Sequence, residues 1–163
     1  MIIRKATLND AESIATLLLL SMEDIIFKFI NQQDYETAKA FLLHFVKQEN
    51  NQYSFQNCFV AEDGNQIIAA VNAYDGAKLC ELRNPIVQYV RTHFNINFNP
   101  EDETQSGEIY IDSLGVAANQ QGKGVGSKML HFLINEIAIK KEQTLGLLVE
   151  TDNPQAKKLY LKL

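Results

Sequence analysis

Apolar side chains at Ile14, Leu17, Leu18, Met22, Ile25 and Ile26 follow a helical period. Asn9, with Glu12 three residues on, is a capping-box pattern in front of them. This predicts a first helix, preceded by a short strand at Ile2 to Ala6. A second helix is expected from about Asp34. Its Ala38, Phe41, Leu42, Phe45 and Val46 fall at i, i+3, i+4, i+7 and i+8, one apolar stripe, and the polar stretch Gln48 to Gln52 closes it. Strands follow at about Tyr53 to Glu62 and Gln66 to Tyr74, and Asp63-Gly64-Asn65 between them is hairpin chemistry. The segment Asp75 to Ser106 reads as an insertion. In it Asn84-Pro85 suggests an N-cap with proline at the first helical position, and Asn97 to Ser106 is a polar, acidic loop.

From Glu108 to Val116 the pattern alternates. Glu108, Tyr110, Asp112, Leu114 and Val116 are expected on one face of a strand, Ile109, Ile111 and Ser113 on the other. A glycine-rich turn leads into a helix with Leu130, Leu133, Ile134 and Ile137 inward. Thr144 to Val149 is nearly continuously apolar, the pattern of a sheet interior, and Asn153-Pro154 opens a last helix. Hairpins early and a helical crossover late predict an α/β fold, with a mixed central sheet and helices on both faces.

At 163 residues the chain is expected to form a single domain, 1–163, with the insertion at about 75–106. A hydrophobic content of 46% excludes disorder. The net charge of −5 argues against nucleic acid as a partner. No apolar run approaches the ~20 residues needed to span a bilayer, and the N-terminus has no signal-peptide core. The expectation is a soluble, cytoplasmic protein without a membrane partner. Cys58 and Cys80 are too few and too irregularly spaced for a metal site and read as small buried hydrophobes.

The stretch with chemical content runs from Leu114-Gly115-Val116 through Gln121-Gly122-Lys123-Gly124-Val125-Gly126. A strand enters a glycine-rich turn that opens a helix. The first amides of such a helix lack internal partners and form an anion site, and glycines let a phosphate approach the backbone. The spacing is neither G-x-G-x-x-G nor a P-loop. It matches Q-x-x-G-x-G at Gln121, Gly124 and Gly126. With the strand before it, and Asn153, Ala156 and Tyr160 further on, it resembles the GNAT family of N-acetyltransferases over nearly the whole chain.

That resemblance implies acetyl-CoA as cofactor and direct transfer of its acetyl group to a primary amine of a small molecule or peptide. It implies that Leu114 and Val116 pair through their backbone with the pantetheine arm, and that the Leu114 N–H polarises the thioester carbonyl. Gly115 sits between them, and Gln121 to Gly126 would hold the pyrophosphate. Lys123 either adds charge there or is a solvated surface lysine. Asn153 reads as a helix N-cap, a cofactor contact, or both. Tyr160 would protonate the leaving thiolate. Glu108 falls where members often carry a catalytic glutamate, with Asp112 as the second candidate base. His44, His93 and His131 are expected at the surface.

Two departures from the family pattern stand out. The insertion carries Asp75, Glu81, Arg83, Glu101, Asp102 and Glu103, a mouth suited to a cationic amine. The sequence also stops at Tyr160-Leu161-Lys162-Leu163, before the family's C-terminal strand pair; that pair is expected to be absent, and either the protein is truncated or a second copy, as a homodimer, covers the exposed edge. The reading from another class is a non-catalytic acyl-CoA-binding or sensor module on the same fold.

Overall fold

Among the described residues five strands form one sheet in the order β1 (Ile2–Lys5), β2 (Cys58–Asp63), β3 (Gln66–Asp75), β4 (Glu108–Val116) and β5 (Thr144–Leu147). The structure, a computed structural model, describes residues 1–149. Neighbouring strands are antiparallel from β1 to β4, and β5 joins β4 in parallel. Helices α1 (Ala11–Ile30), α2 (Tyr35–Val46) and α3 (Leu79–His93) cover one face, where Ile14, Leu18, Phe45 and Ile86 bury against Val60 and Ala70. Helix α4 (Val125–Leu133), continued by a π-helical turn at Ile134–Ile139, covers the other. There Met129, Leu130 and Leu133 pack on Ala69, Val71 and Ile111. The fold is therefore mixed α/β with helices on both faces of a mixed sheet. No helix among the described residues is long and apolar enough to cross a membrane.

The capping box sits two residues earlier than Asn9 and Glu12 suggest, at Thr7 and Asp10, and opens a short turn at Leu8–Asp10 ahead of α1. Thr7 donates its backbone N–H and its hydroxyl to Asp10 Oδ2, at 2.8 and 2.9 Å. Arg4 grips both Asp10 oxygens, at 2.8 and 2.9 Å, and reaches Glu62 through Nε at 2.8 Å. The Arg4 guanidinium thus holds the Asp10 carboxyl down to about 2. A carboxyl depressed from its ordinary 3.8 stabilises the fold above that value, and its contribution is lost as pH falls through about 2. Asp10→Asn is expected to lower stability by about 1–2 kcal/mol at neutral pH. In urea melts, the gap between variant and native protein should close as the pH is lowered from 4 toward 2. Helix α2 starts as expected, with the Asp34 carboxylate accepting from the Thr37 amide at 2.8 Å.

Two boundaries move. β2 begins at Cys58 rather than near Tyr53, because Asn51 and Ser54 turn their side chains onto the amides of Tyr53 and Gln56 and hold residues 53–57 as a turn. α3 begins at Leu79, so Pro85 lies inside the helix rather than at its first position. Its buried face starts with Leu79 and Leu82, a turn before the proline, and Asp75 caps the short turn ahead of it through the Ala77 amide. Burial of that first turn outweighs one missing hydrogen bond.

β4 spans the expected residues, but its alternation breaks. Ser113 pairs with Asn72 and Ile111 with Ala73, so Asp112 is an extra, unpaired residue, a β-bulge. The faces exchange there. Tyr110 lies with Tyr74, Leu79 and Leu82 on the α3 side, whereas Leu114 and Val116 pack with Ile109 and Ile111 toward α4. The expectation of one shared face from Glu108 through Val116 is thereby corrected. On the α1 side Gly115 is pressed against helix α1, where a Cβ would lie 1.8 Å from the Leu17 carbonyl oxygen.

Candidate functional site

The β4–β5 ladder runs from Glu108 opposite Thr144 to Ile111 opposite Leu147 and stops, while β4 continues to Val116. Beyond Ile111 that edge of β4 is unpaired among the described residues. The Ala117 amide donates to the Ile68 carbonyl of β3 at 2.9 Å. Backbone groups alternate edges along a strand, so those of Gly115 face β3, and those of Leu114 and Val116 face the open edge. Gln121 closes the end of this edge, its Nε2 donating to the Val116 carbonyl at 3.0 Å.

The loop that follows is shaped by glycine. Gly122 and Gly124 have φ of 76° and 80°, and nothing lies within 4 Å of where their Cβ atoms would be. The space beside the loop backbone is open at these two points. The first α4 amide bonded to the preceding turn is that of Lys128, on the Gly124 carbonyl at 3.1 Å. The amides of Val125, Gly126 and Ser127 precede it at the positive end of the helix, the arrangement that receives a phosphate. Lys123 is exposed, and its Nζ lies 3.4 Å from Gln120 Oε1. The loop and the open β4 edge together fit a pyrophosphate with an extended arm. Asn153 and Tyr160, the other expected members of the site, lie outside the described residues.

Alongside this edge is a cavity of about 710 Å³. Helix α1 kinks at Met22, whose φ of −136° and ψ of 23° leave the helical region, and the residues around the kink form one wall. The insertion supplies another wall through Arg83, Ile86, Phe98 and Glu103, and β4 contributes Tyr110, Asp112, Ser113 and Leu114. Among the described residues the lining carries four carboxylates, Glu23, Asp24, Glu103 and Asp112, and one guanidinium, Arg83. Of the acidic residues expected at the mouth from the insertion, Glu103 alone is among the lining residues; Glu23 and Asp24 come from α1 instead.

The bulge sets the geometry of Asp112. Its Oδ2 accepts from Gln52 Nε2 at 2.7 Å and from the Tyr74 hydroxyl at 2.8 Å. Gln52 is itself fixed, its amide on the Leu82 carbonyl at 2.9 Å and its own carbonyl accepting from Asn72 Nδ2 at 3.0 Å. Burial raises the Asp112 carboxyl above the usual aspartate range, opposed by the two hydrogen bonds and by the charge of Arg83. Glu103 is raised as well, by burial and then by Asp112, and its Oε2 accepts from the Tyr110 hydroxyl at 3.3 Å. A carboxylate held this way, with its affinity for protons increased, is suited to take a proton from an ammonium group.

Glu108 is placed differently. It lies at the start of β4, outside the cavity lining, accepts from the Thr104 hydroxyl at 2.6 Å, and rests its carboxylate over Gly146 of β5. Cys58 is fully buried, and burial pushes its thiol up to about 12, which makes it a poor nucleophile. Cys80 is exposed, contrary to the expectation of a buried position. His44, His93 and His131 are all exposed. Sequence reasoning missed Gln52, Tyr74, Glu23 and Asp24. No motif marks them, because they meet Asp112 or its cavity only through long-range folding.

Among the described residues, an unpaired strand edge leads into a glycine loop beside a cavity that Asp112 lines. Residues 19–163 match the model of the acetyltransferase (GNAT) family, and the chain belongs to that family. It is similar to a solved acetyltransferase at 28% identity, covering 99% of this chain and 87% of that one with a TM-score of 0.79. It is similar in fold to an N-acetyltransferase from Staphylococcus aureus Mu50, at 19% identity over 99% and 88% of the two chains, TM-score 0.84. A diaminobutyrate acetyltransferase from Paenibacillus lautus, solved with its substrate L-2,4-diaminobutyric acid and coenzyme A, shares the fold at 15% identity over 99% and 72%, TM-score 0.53. No curated protein matches the chain.

Proposed function

We propose that this protein is an acetyl-CoA-dependent N-acetyltransferase that moves the acetyl group directly onto a primary amine of a small, cationic acceptor. The observation that carries this reading is the position of Asp112. It is the bulge residue where β4 parts from β5, and it lines the acidic cavity next to the open edge. Acetyl-CoA supplies an activated thioester. The amides of Val125, Gly126 and Ser127 and the loop glycines would hold its pyrophosphate, and the open-edge backbone of Leu114 and Val116 its arm. The Leu114 N–H would face the oxygen on which charge develops. Asp112 takes a proton from the entering ammonium, and Gln52 and Tyr74 keep its Oδ2 in place. Tyr160 is proposed to return a proton to the departing thiolate. Four carboxylates against one guanidinium among the described residues of the cavity wall favour a cationic acceptor.

Two readouts on one sample test this. Acetyl-CoA should raise the melting temperature, and addition of an amine from a cationic panel should release thiol, with the rate reduced in Tyr160→Phe. Stabilisation without thiol release from any amine would favour the sensor reading, in which the same loop binds the cofactor but no acceptor reacts. Neither stabilisation nor release would remove the cofactor assignment.

A further inference from the structure

We infer that the acceptor carries a carboxylate anchored by Arg83, so that the substrate is a small basic amino acid rather than a polyamine or an amino sugar. This rests on the cavity being the acceptor site proposed above. The Arg83 side chain is only 9% exposed, and it is the one cationic side chain among the described residues of the cavity wall. Only Nη1 is engaged, by the Glu101 carbonyl at 2.9 Å and Asp102 Oδ1 at 3.1 Å. Nε and Nη2 have no hydrogen-bond partner among the described residues, and Asp102 is its one ion-pair partner there, itself 69% exposed. Glu103 and Asp112 share the cavity yet form no ion pair with Arg83.

A buried guanidinium with an open Nε–Nη2 edge is matched by a planar anion that accepts two parallel hydrogen bonds, and a carboxylate has that shape. A diamine would satisfy the cavity's carboxylates but would bring a like charge to Arg83 and leave that edge without a partner. An acidic or neutral amino acid would satisfy Arg83 but would not match the excess of four carboxylates over one cation among the described residues of the cavity wall. One carboxylate with two ammonium groups answers both: one ammonium toward Asp112, the other toward Glu23 and Asp24.

The test compares pairs that differ only by the carboxylate: L-ornithine with putrescine, and L-lysine with cadaverine. Each is titrated calorimetrically into the full chain saturated with coenzyme A. At least one amino acid is expected to bind about tenfold tighter or more than its decarboxylated partner, the worth of one charge-assisted bidentate contact. Arg83→Gln should abolish that difference and Arg83→Lys retain part of it. Equal or tighter binding of the diamines by the native protein, or no binding by any of the four, overturns the inference. So does a preference that survives in Arg83→Gln. Should that variant not fold, the native comparison decides alone. Because the readout is binding, a failure of acetyl transfer is separately visible as bound amino acid without thiol release.

Discussion

Replacing Asp112 with asparagine is expected to lower kcat by about 10²–10⁴-fold, the range that a positioned general base contributes. Asparagine keeps the shape and can still accept from Gln52 and Tyr74, so the loss reports the missing base rather than a collapsed network. The stability of the variant provides the control. Burial raises the folded-state pKa of Asp112, so its ionised form disfavours the fold once the pH exceeds the ordinary aspartate value of 3.8. Removing that charge should leave the melting temperature unchanged or higher at neutral pH while activity falls. In the native enzyme the acidic limb of kcat/KM should titrate above the usual aspartate range, and that limb should disappear from the residual activity of the variant. Glu108→Gln belongs in the same assay. Its carboxylate is engaged by Thr104 and set over Gly146 away from the cavity, so a loss confined to a few-fold is expected. A larger loss in Glu108→Gln than in Asp112→Asn would reassign the base.

The largest effect on folding is expected at Gly115. An alanine Cβ there would stand 1.8 Å from the Leu17 carbonyl oxygen and 2.4 Å from its carbon. These are backbone atoms in the middle of α1, and no rotamer change relieves them. The helix would have to lift from β4, opening the core it shares with the sheet. We expect Gly115→Ala to cost about 3 kcal/mol or more, the upper end of overpacking. For a chain of this size that is a fall in Tm of roughly 6–12 °C. Gly124→Ala provides a contrast: its φ of 80° disfavours a side chain by about 1–2 kcal/mol, but nothing lies in the way. A small change in Gly115→Ala would mean that α1 and β4 pack less closely than described.

The same glycine shows how far the sequence could be read. Its place in the strand-turn-helix motif was legible, and so was the loop from Gln121 to Gly126, because both follow from local chain geometry. The close approach of Leu17 to Gly115 was not, since it depends on where a helix nearly a hundred residues earlier settles. Helix α2 and its Asp34 cap were legible for the local reason that a stripe and a cap lie within one stretch of chain. The alternation of β4 misled at a single residue. A bulge at Asp112 leaves no mark in a period-two pattern, yet it turns Leu114 and Val116 to the α4 face and leaves Asp112 by the cavity. The kink at Met22, which brings Glu23 and Asp24 to the wall, is equally silent in a continuous apolar helix pattern. Asn84-Pro85 was misleading as a helix start, because burial of Leu79 and Leu82 carries the helix back to Leu79 and leaves both residues inside it.

The central claim is that an acetyl group passes directly to an amine whose proton Asp112 removes, with donor and acceptor bound together. Initial rates measured with acetyl-CoA and a reactive amine both varied test it most directly. Double-reciprocal lines that intersect are expected, because donor and acceptor are bound together before the acetyl group moves. Parallel lines, together with an acetylated protein formed in the absence of amine, would contradict it.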